Sequence, residues 1–193
     1  AGYTDDRIIL IVEDDIADNV SNPNKGVIQV TIGGNNVYEN VEIDYRMSSL
    51  KAKDILAILN GEKSESLPTV IESTENDNLF VFWSGHGVPG AMCWDEEPYA
   101  MTGDDLSTVF KDMNLKRRYR KLLMMVEACF SGGVMEQCGG IPGMLFITAA
   151  NGDETSKADV FNGEMKVWMS NRFTSTFIEQ ITDNKDVAMR DLY

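Results

Sequence analysis

The chain has 193 residues and a formal net charge of −14, from 31 Asp and Glu against 17 Lys and Arg. That length suits a single domain over residues 1–193 with one substantial core, and that charge repels a nucleic-acid backbone or an anionic membrane surface. No stretch reaches the roughly 18 apolar residues of a membrane span, and the opening AGYTDDRIILIVEDD lacks the basic start and long apolar core of a secretory leader.

Residues 7–12, RIILIV, form an apolar run closed by Glu13-Asp14-Asp15, the pattern of a parallel strand buried on both faces. Asn19-Val20-Ser21 matches the short glycosylation signal, which also arises by chance. Residues 27–32 alternate as VIQVTI, Gly33-Gly34-Asn35-Asn36 turns the chain, and residues 37–41 follow; this predicts a β-hairpin. Ser48 or Ser49 is placed to cap a helix carrying Leu50, Ile55, Leu56 and Leu59 and ended by Asn60-Gly61. LFVFW at 79–83 predicts a second buried strand, stopping at Ser84-Gly85-His86-Gly87. Thr102-Gly103-Asp104-Asp105 has the form of a capping box, followed by Leu106, Val109, Phe110 and Met113 at helical spacing. The basic run 116–121 reads as the solvated end of that helix. LLMMV at 122–126 is a third strand, ending at Glu127-Ala128-Cys129, and MLFITA at 144–149 a fourth, followed by a polar loop over 151–159. Phe173, Phe177 and Ile181 mark one face of a late helix. Short apolar strands alternating with helices predict an α/β fold, a parallel sheet with helices on both faces. Ligands then bind beyond the carboxyl ends of the strands.

His86, the sole histidine, and Cys129 both sit just past such strand ends. Glycines on either side of His86 permit close approach of a ligand. An unperturbed thiol titrates near about 8.5, so a nucleophilic cysteine needs a base or a helix dipole beside it. Two strand-end loops separated by one crossover can supply that pair, with the amides of Gly87 and Cys129 as an oxyanion hole. Cys93 and Cys138 lack this setting; they can pair as a disulfide, although nothing requires it. No CxxC pair marks a zinc knuckle. The runs Asp14-Asp15 with Asp18, and Asp95-Glu96-Glu97, lack calcium-loop spacing and read as solvated surface, so no metal site is expected.

Phe82-Trp83-Ser84-Gly85-His86-Gly87 and Val126-Glu127-Ala128-Cys129-Phe130-Ser131-Gly132 resemble the His and Cys motifs of the legumain (asparaginyl endopeptidase) family of cysteine peptidases. Asp14-Asp15-Ile16-Ala17 with Asn22-Pro23, Val41-Glu42-Ile43-Asp44-Tyr45-Arg46 and Ile147-Thr148-Ala149-Ala150-Asn151 extend the resemblance from about Asp6 to about Phe177. The chain is also similar to the catalytic subunit of the glycosylphosphatidylinositol transamidase. The resemblance implies a caspase-like three-layer fold, a mostly parallel central sheet flanked by helices. It implies peptide-bond cleavage after Asn, and after Asp at acidic pH, through a thioester on Cys129 with His86 as proton donor to the leaving amine. No cofactor is implied; the partner is a peptide or protein substrate. By position, Glu127, Ser156 and Glu164 fall at the polar positions of the family's specificity pocket.

The family's first strand and helix, which carry an Asn that orients the histidine and an Arg of the pocket, match nothing here. The sequence reading therefore expects that segment to come from the same precursor as a separate chain, or the domain to be a non-catalytic binding module. A transamidase or peptide ligase using the same dyad is a further alternative. The resemblance implies zymogen synthesis and a secreted, bacterial-envelope or lysosome-like location.

Overall fold

The computed structural model of the chain describes residues 3–30, 33–94 and 100–183. Asp95-Glu96-Glu97 lies outside them. In chain order the elements are β1 (Ile11–Val12), β2 (Tyr45–Arg46), α1 (Ala52–Asn60), β3 (Asn78–Ser84), β4 (Gly87–Val88), β5 (Ala91–Met92), β6 (Met101–Thr102), α2 (Gly103–Leu115), β7 (Lys121–Glu127), α3 (Ser131–Glu136), β8 (Met144–Thr148), β9 (Ala158–Asn162), β10 (Val167–Asn171) and α4 (Arg172–Asp183).

The sheet that matters is β3-β7-β8, parallel throughout, with β7 in the centre. Helix α2 occupies the crossover between β3 and β7, and α3 that between β7 and β8, as parallel strands require. Leu79, Val81 and Trp83 pair in register with Leu122, Met124 and Val126 and point to the core face. There they meet Leu106, Phe110 and Met113 of α2 and Val134 of α3. Phe110 stacks obliquely on Phe146 of β8 at 5.9 Å between ring centroids. This α/β arrangement with a parallel sheet and packed helices is the one expected of a caspase-like fold.

Local chemistry explains the helix ends. Thr102 and Asp105 exchange hydrogen bonds at the start of α2, each side chain satisfying the other's backbone N–H. Helix α1 starts at Ala52, later than Ser48 or Ser49: the Asp54 carboxylate accepts from Lys51 N at 2.8 Å and fixes the first turn there. Gly61, with φ 69°, ends it in the left-handed conformation.

Three expectations change. The strand LFVFW is not buried on both faces; it alternates, and Phe80 and Phe82 remain 50% and 43% exposed. Their cross-strand row continues through Leu123 to Leu145, itself 50% exposed, so this face of the sheet is open at β3 and β8, and only β7 is buried almost throughout. The run at 7–12 pairs only through Ile11 and Val12, parallel to β2. The described part of the expected hairpin forms no ladder. Instead the Asn36 side chain accepts from Ile28 N at 3.0 Å and donates to Gly26 O at 3.2 Å, taking the place of a strand partner. Strands β4, β5, β6, β9 and β10 were not expected; all are short or polar.

Asp14, in a left-handed conformation (φ 61°), gathers the loop after β1. It accepts from Tyr38 Oη at 2.6 Å and from Arg46 at 2.8 Å. The Tyr38 hydroxyl above all, with help from Arg46, holds its carboxyl below the usual carboxylate value against the opposing effect of burial. Arg118 of the basic run is spent on the carbonyls of Asn60 and Ile71, and Arg117 and Lys116 on Glu75 and Asp112. Among the described residues no helix is long and apolar enough to cross a membrane.

Phe110→Ala, at a site with no exposure, is expected to cost about 3–5 kcal/mol in urea unfolding, and Phe80→Ala, on the open face, about 1 kcal/mol or less. Asp14→Asn should destabilise at pH 7. Because the folded carboxyl titrates low, the wild-type advantage is complete above about pH 4 and disappears as the pH falls through the lowered value. Melting curves at pH 7 and pH 3 check the narrowing.

Candidate active site

The parallel register makes β3 and β7 end in step, Ser84 beside Glu127, and Val126 beside Thr148 of β8. Gly85 N donates to Glu127 O at 3.0 Å and Ala149 N to Val126 O at 2.9 Å, so all three following loops leave from one edge of the sheet. That edge receives the His86 and Cys129 segments together. A Cβ on Gly87 would lie 2.1 Å from the carbonyl oxygen of Cys129. The glycine is needed there for contact, not for its dihedral angles.

The hairpin β4–β5 fixes this segment. Val88 pairs with Ala91 across Pro89-Gly90, and His86 O accepts from Cys93 N at 3.0 Å. Gly87, between these bonded pairs, turns its N–H away from β5. His86 is exposed. Cys129 is half-buried, and its Sγ lies 3.6 Å from Ser156 Oγ. Among the described residues no hydrogen bond joins His86 to Cys129, and the Cys129 amide bonds to no carbonyl. Phe130 adopts φ 57°, rare for an aromatic residue, held by a 2.9 Å bond from its N–H to Glu154 O. This bend lifts the chain out of β7 into α3, whose Gly132 and Gly133 would each bring a Cβ within 3.2 Å of residues 150–152. The nucleophile candidate thus sits between a straight strand and a tightly packed helix start.

Glu127 is 1% exposed. Its Oε2 accepts from Thr174 N at 3.0 Å and Thr174 Oγ1 at 2.8 Å, capping the first turn of α4. Its Oε1 has no hydrogen-bond partner among the described residues. Beside it lies a cavity of about 300 Å³ lined by Thr148, Ala149, Lys157, Arg172, Phe173 and Thr176. Lys157 follows Ser156 directly, and its carbonyl accepts from Arg172 N at 2.9 Å. Of the predicted pocket residues, Glu127 and Ser156 are therefore gathered here. Glu164 is not: it lies exposed at the tip of the β9–β10 hairpin, beyond the Asn162–Val167 pair, while the Ala158–Asn171 end adjoins the cavity. Sequence reading missed Lys157, Arg172 and the bend at Phe130. Only the Ser156-Lys157 adjacency signalled the first; nothing in the residue types signalled the others.

All three cysteines are free, so Cys93 and Cys138 form no disulfide. Burial pushes the Cys138 thiol up to about 11, which makes it unreactive near neutrality. No group of three His, Cys, Asp or Glu side chains that could hold a metal ion occurs among the described residues.

A model of the peptidase C13 family matches residues 1–193, and the chain belongs to that family. It is 29% identical to legumain of Rattus norvegicus over 196 residues, covering 100% of this chain and 44% of the relative. It is 36% identical to the vacuolar-processing enzyme of Vicia sativa over 161 residues, covering 80% of this chain and 32% of the relative. It is 35% identical to hemoglobinase of Schistosoma mansoni over 159 residues, covering 80% of this chain and 36% of the relative. The chain spans less than half the length of these relatives.

Gly87→Ala should force the 85–88 segment off the Cys129 carbonyl. The expected result is a folded protein with a lower melting temperature and an altered alkylation rate at Cys129, with Cys138 unchanged, read by peptide mass mapping.

Proposed function

We propose that this chain carries the catalytic centre of a cysteine endopeptidase that cleaves peptide bonds after Asn or Asp. The observation that supports it is the contact of Gly87 with the Cys129 carbonyl, which sets the segment of the sole histidine against the half-buried Cys129. In this reading Cys129 Sγ attacks the carbonyl carbon of the scissile bond as its thiol proton passes to His86. The developing oxyanion is held by the Gly87 and Cys129 amides, the first turned out of its hairpin and the second unbonded to any carbonyl. His86 protonates the departing amine, leaving an acyl thioester on Cys129. Water then attacks the thioester, with His86 taking a proton, and the free acid and thiol are released.

The side chain preceding the scissile bond enters the cavity beyond Ser156. Asn and Asp are short enough to place a planar polar head there, among Lys157, Arg172, Thr148 and Thr176 of the wall, with Glu127 and Ser156 beside the cavity. Membership of the peptidase family supports the reaction class, and the vacuolar-processing relative supports a vacuole- or lysosome-like working compartment. An N-terminal segment of the same precursor would complete the site's surroundings.

The test is a peptide probe carrying Asn or Asp before a thiol-reactive group. An adduct at Cys129 is expected, lost in Cys129→Ala, with peptide turnover reduced about 10²–10⁴-fold in His86→Ala. Labelling at Cys93 alone, or none in a folded protein, would overturn the assignment.

A further inference from the structure

Two features of the cavity pull in opposite directions. The unpartnered Oε1 of Glu127 is an acceptor and favours a carboxamide, whose NH₂ would satisfy it. Lys157 and Arg172 offer only donors and favour a carboxylate, which has only acceptors. The structure decides between them by access. Glu127 is sealed at 1% exposure and does not reach the cavity wall, and its other oxygen is already held by Thr174. Lys157 and Arg172 are both exposed and line the wall.

These two cations have no acidic partner among the described residues. Among the described residues neither forms an ion pair, in a chain with 31 acidic side chains. Among the described residues Lys157 Nζ has only Thr155 Oγ1, at 3.4 Å. The nearby acid Asp159 accepts from Ser175 Oγ at 2.7 Å and forms no ion pair with either cation among the described residues. A charge-assisted bond to Arg or Lys is about twice as strong as a neutral one, and Arg can grip a carboxylate through two parallel bonds.

We infer that this cavity takes a carboxylate side chain on Lys157 and Arg172, so that bonds following Asp are cleaved in preference to those following Asn. The inference rests on the peptidase reading above and names the substrate class of the same site. Arg172 and Lys157 are then specificity residues, and Glu127 positions Arg172 by holding the first turn of α4.

Two peptides identical except for Asp or Asn before the scissile bond test this at neutral pH. Turnover is measured with the wild type, Arg172→Gln, Lys157→Met and Glu127→Gln, and equilibrium binding is measured with the Cys129→Ala protein. The Asp peptide is expected to be the better substrate and the tighter ligand. Arg172→Gln and Lys157→Met should each lower its kcat/KM about tenfold to a hundredfold, with a smaller loss for the Asn peptide, which also serves as the folding control. A preference for Asn that is lost in Glu127→Gln would overturn the inference, as would an Asp preference that survives both cation substitutions. If neither peptide is cleaved but the Cys129→Ala protein still binds Asp selectively, the cavity assignment stands and the peptidase reading falls. If neither peptide is bound, the cavity assignment is overturned.

Discussion

Everything at the site depends on the parallel pairing of β3 with β7 and its register. Seven residues of each strand lie side by side from Asn78–Lys121 to Ser84–Glu127. Because side chains alternate with a period of two, a slip of one residue would move Leu79, Val81 and Trp83 off the core. The hydrophobic pattern therefore fixes the register, and the register fixes where the two loops emerge. The proximity of the His86 and Cys129 segments is a by-product of burying Leu122, Met124 and Val126. No dedicated bond between the two segments is required to create it, and the glycine at 87 only has to avoid obstructing it.

Glu127 shows how the same edge is made polar without leaving it unsupported. It lies on the sheet face opposite the main core, where the start of α4 covers it. A buried carboxylate is costly unless its charge is compensated, and the two donors from Thr174, with the favourable end of the helix dipole, supply that compensation. The helix in return is anchored at its first turn, which carries the cavity residues Arg172, Phe173 and Thr176. One side chain thus joins the strand that leads to Cys129 to the helix that walls the cavity.

The parts of this design legible in the sequence were those written in period and punctuation. LLMMV announced a buried strand, the Thr102-Asp105 box announced α2, and the glycines around His86 announced a place of close approach. Strands that end a few residues before His86 and Cys129 were enough to put both on one edge. What was not legible depended on tertiary partners. LFVFW looks buried on both faces because composition cannot reveal that Phe80 and Phe82 stay half-exposed. The alternation at 27–32 suggested a hairpin, but the Asn36 side chain takes the Ile28 N–H, and Val37 N to Ile28 O is a backbone bond that crosses between the two segments without forming a ladder. Glu164 was assigned by counting across a loop of uncertain length, and the β9–β10 hairpin carries it away from the cavity. Arg172 and Lys157 lie 15 residues apart and are brought together by the β9–β10 hairpin, where Arg172 N donates to Lys157 O just past the Ala158–Asn171 pair.

The open row of Phe80, Leu123 and Leu145, with Phe82 beside it, has a colloidal consequence. An apolar strip on a solvent-facing sheet attracts its own kind, while a chain of charge −14 repels it. The repulsion reaches about 30 Å at 0.01 M salt but only about 8 Å at 0.15 M, whereas the attraction between apolar surfaces is not screened. Ionic strength therefore sets how long these molecules remain apart, and dilute buffer keeps the chain dispersed through its acidity.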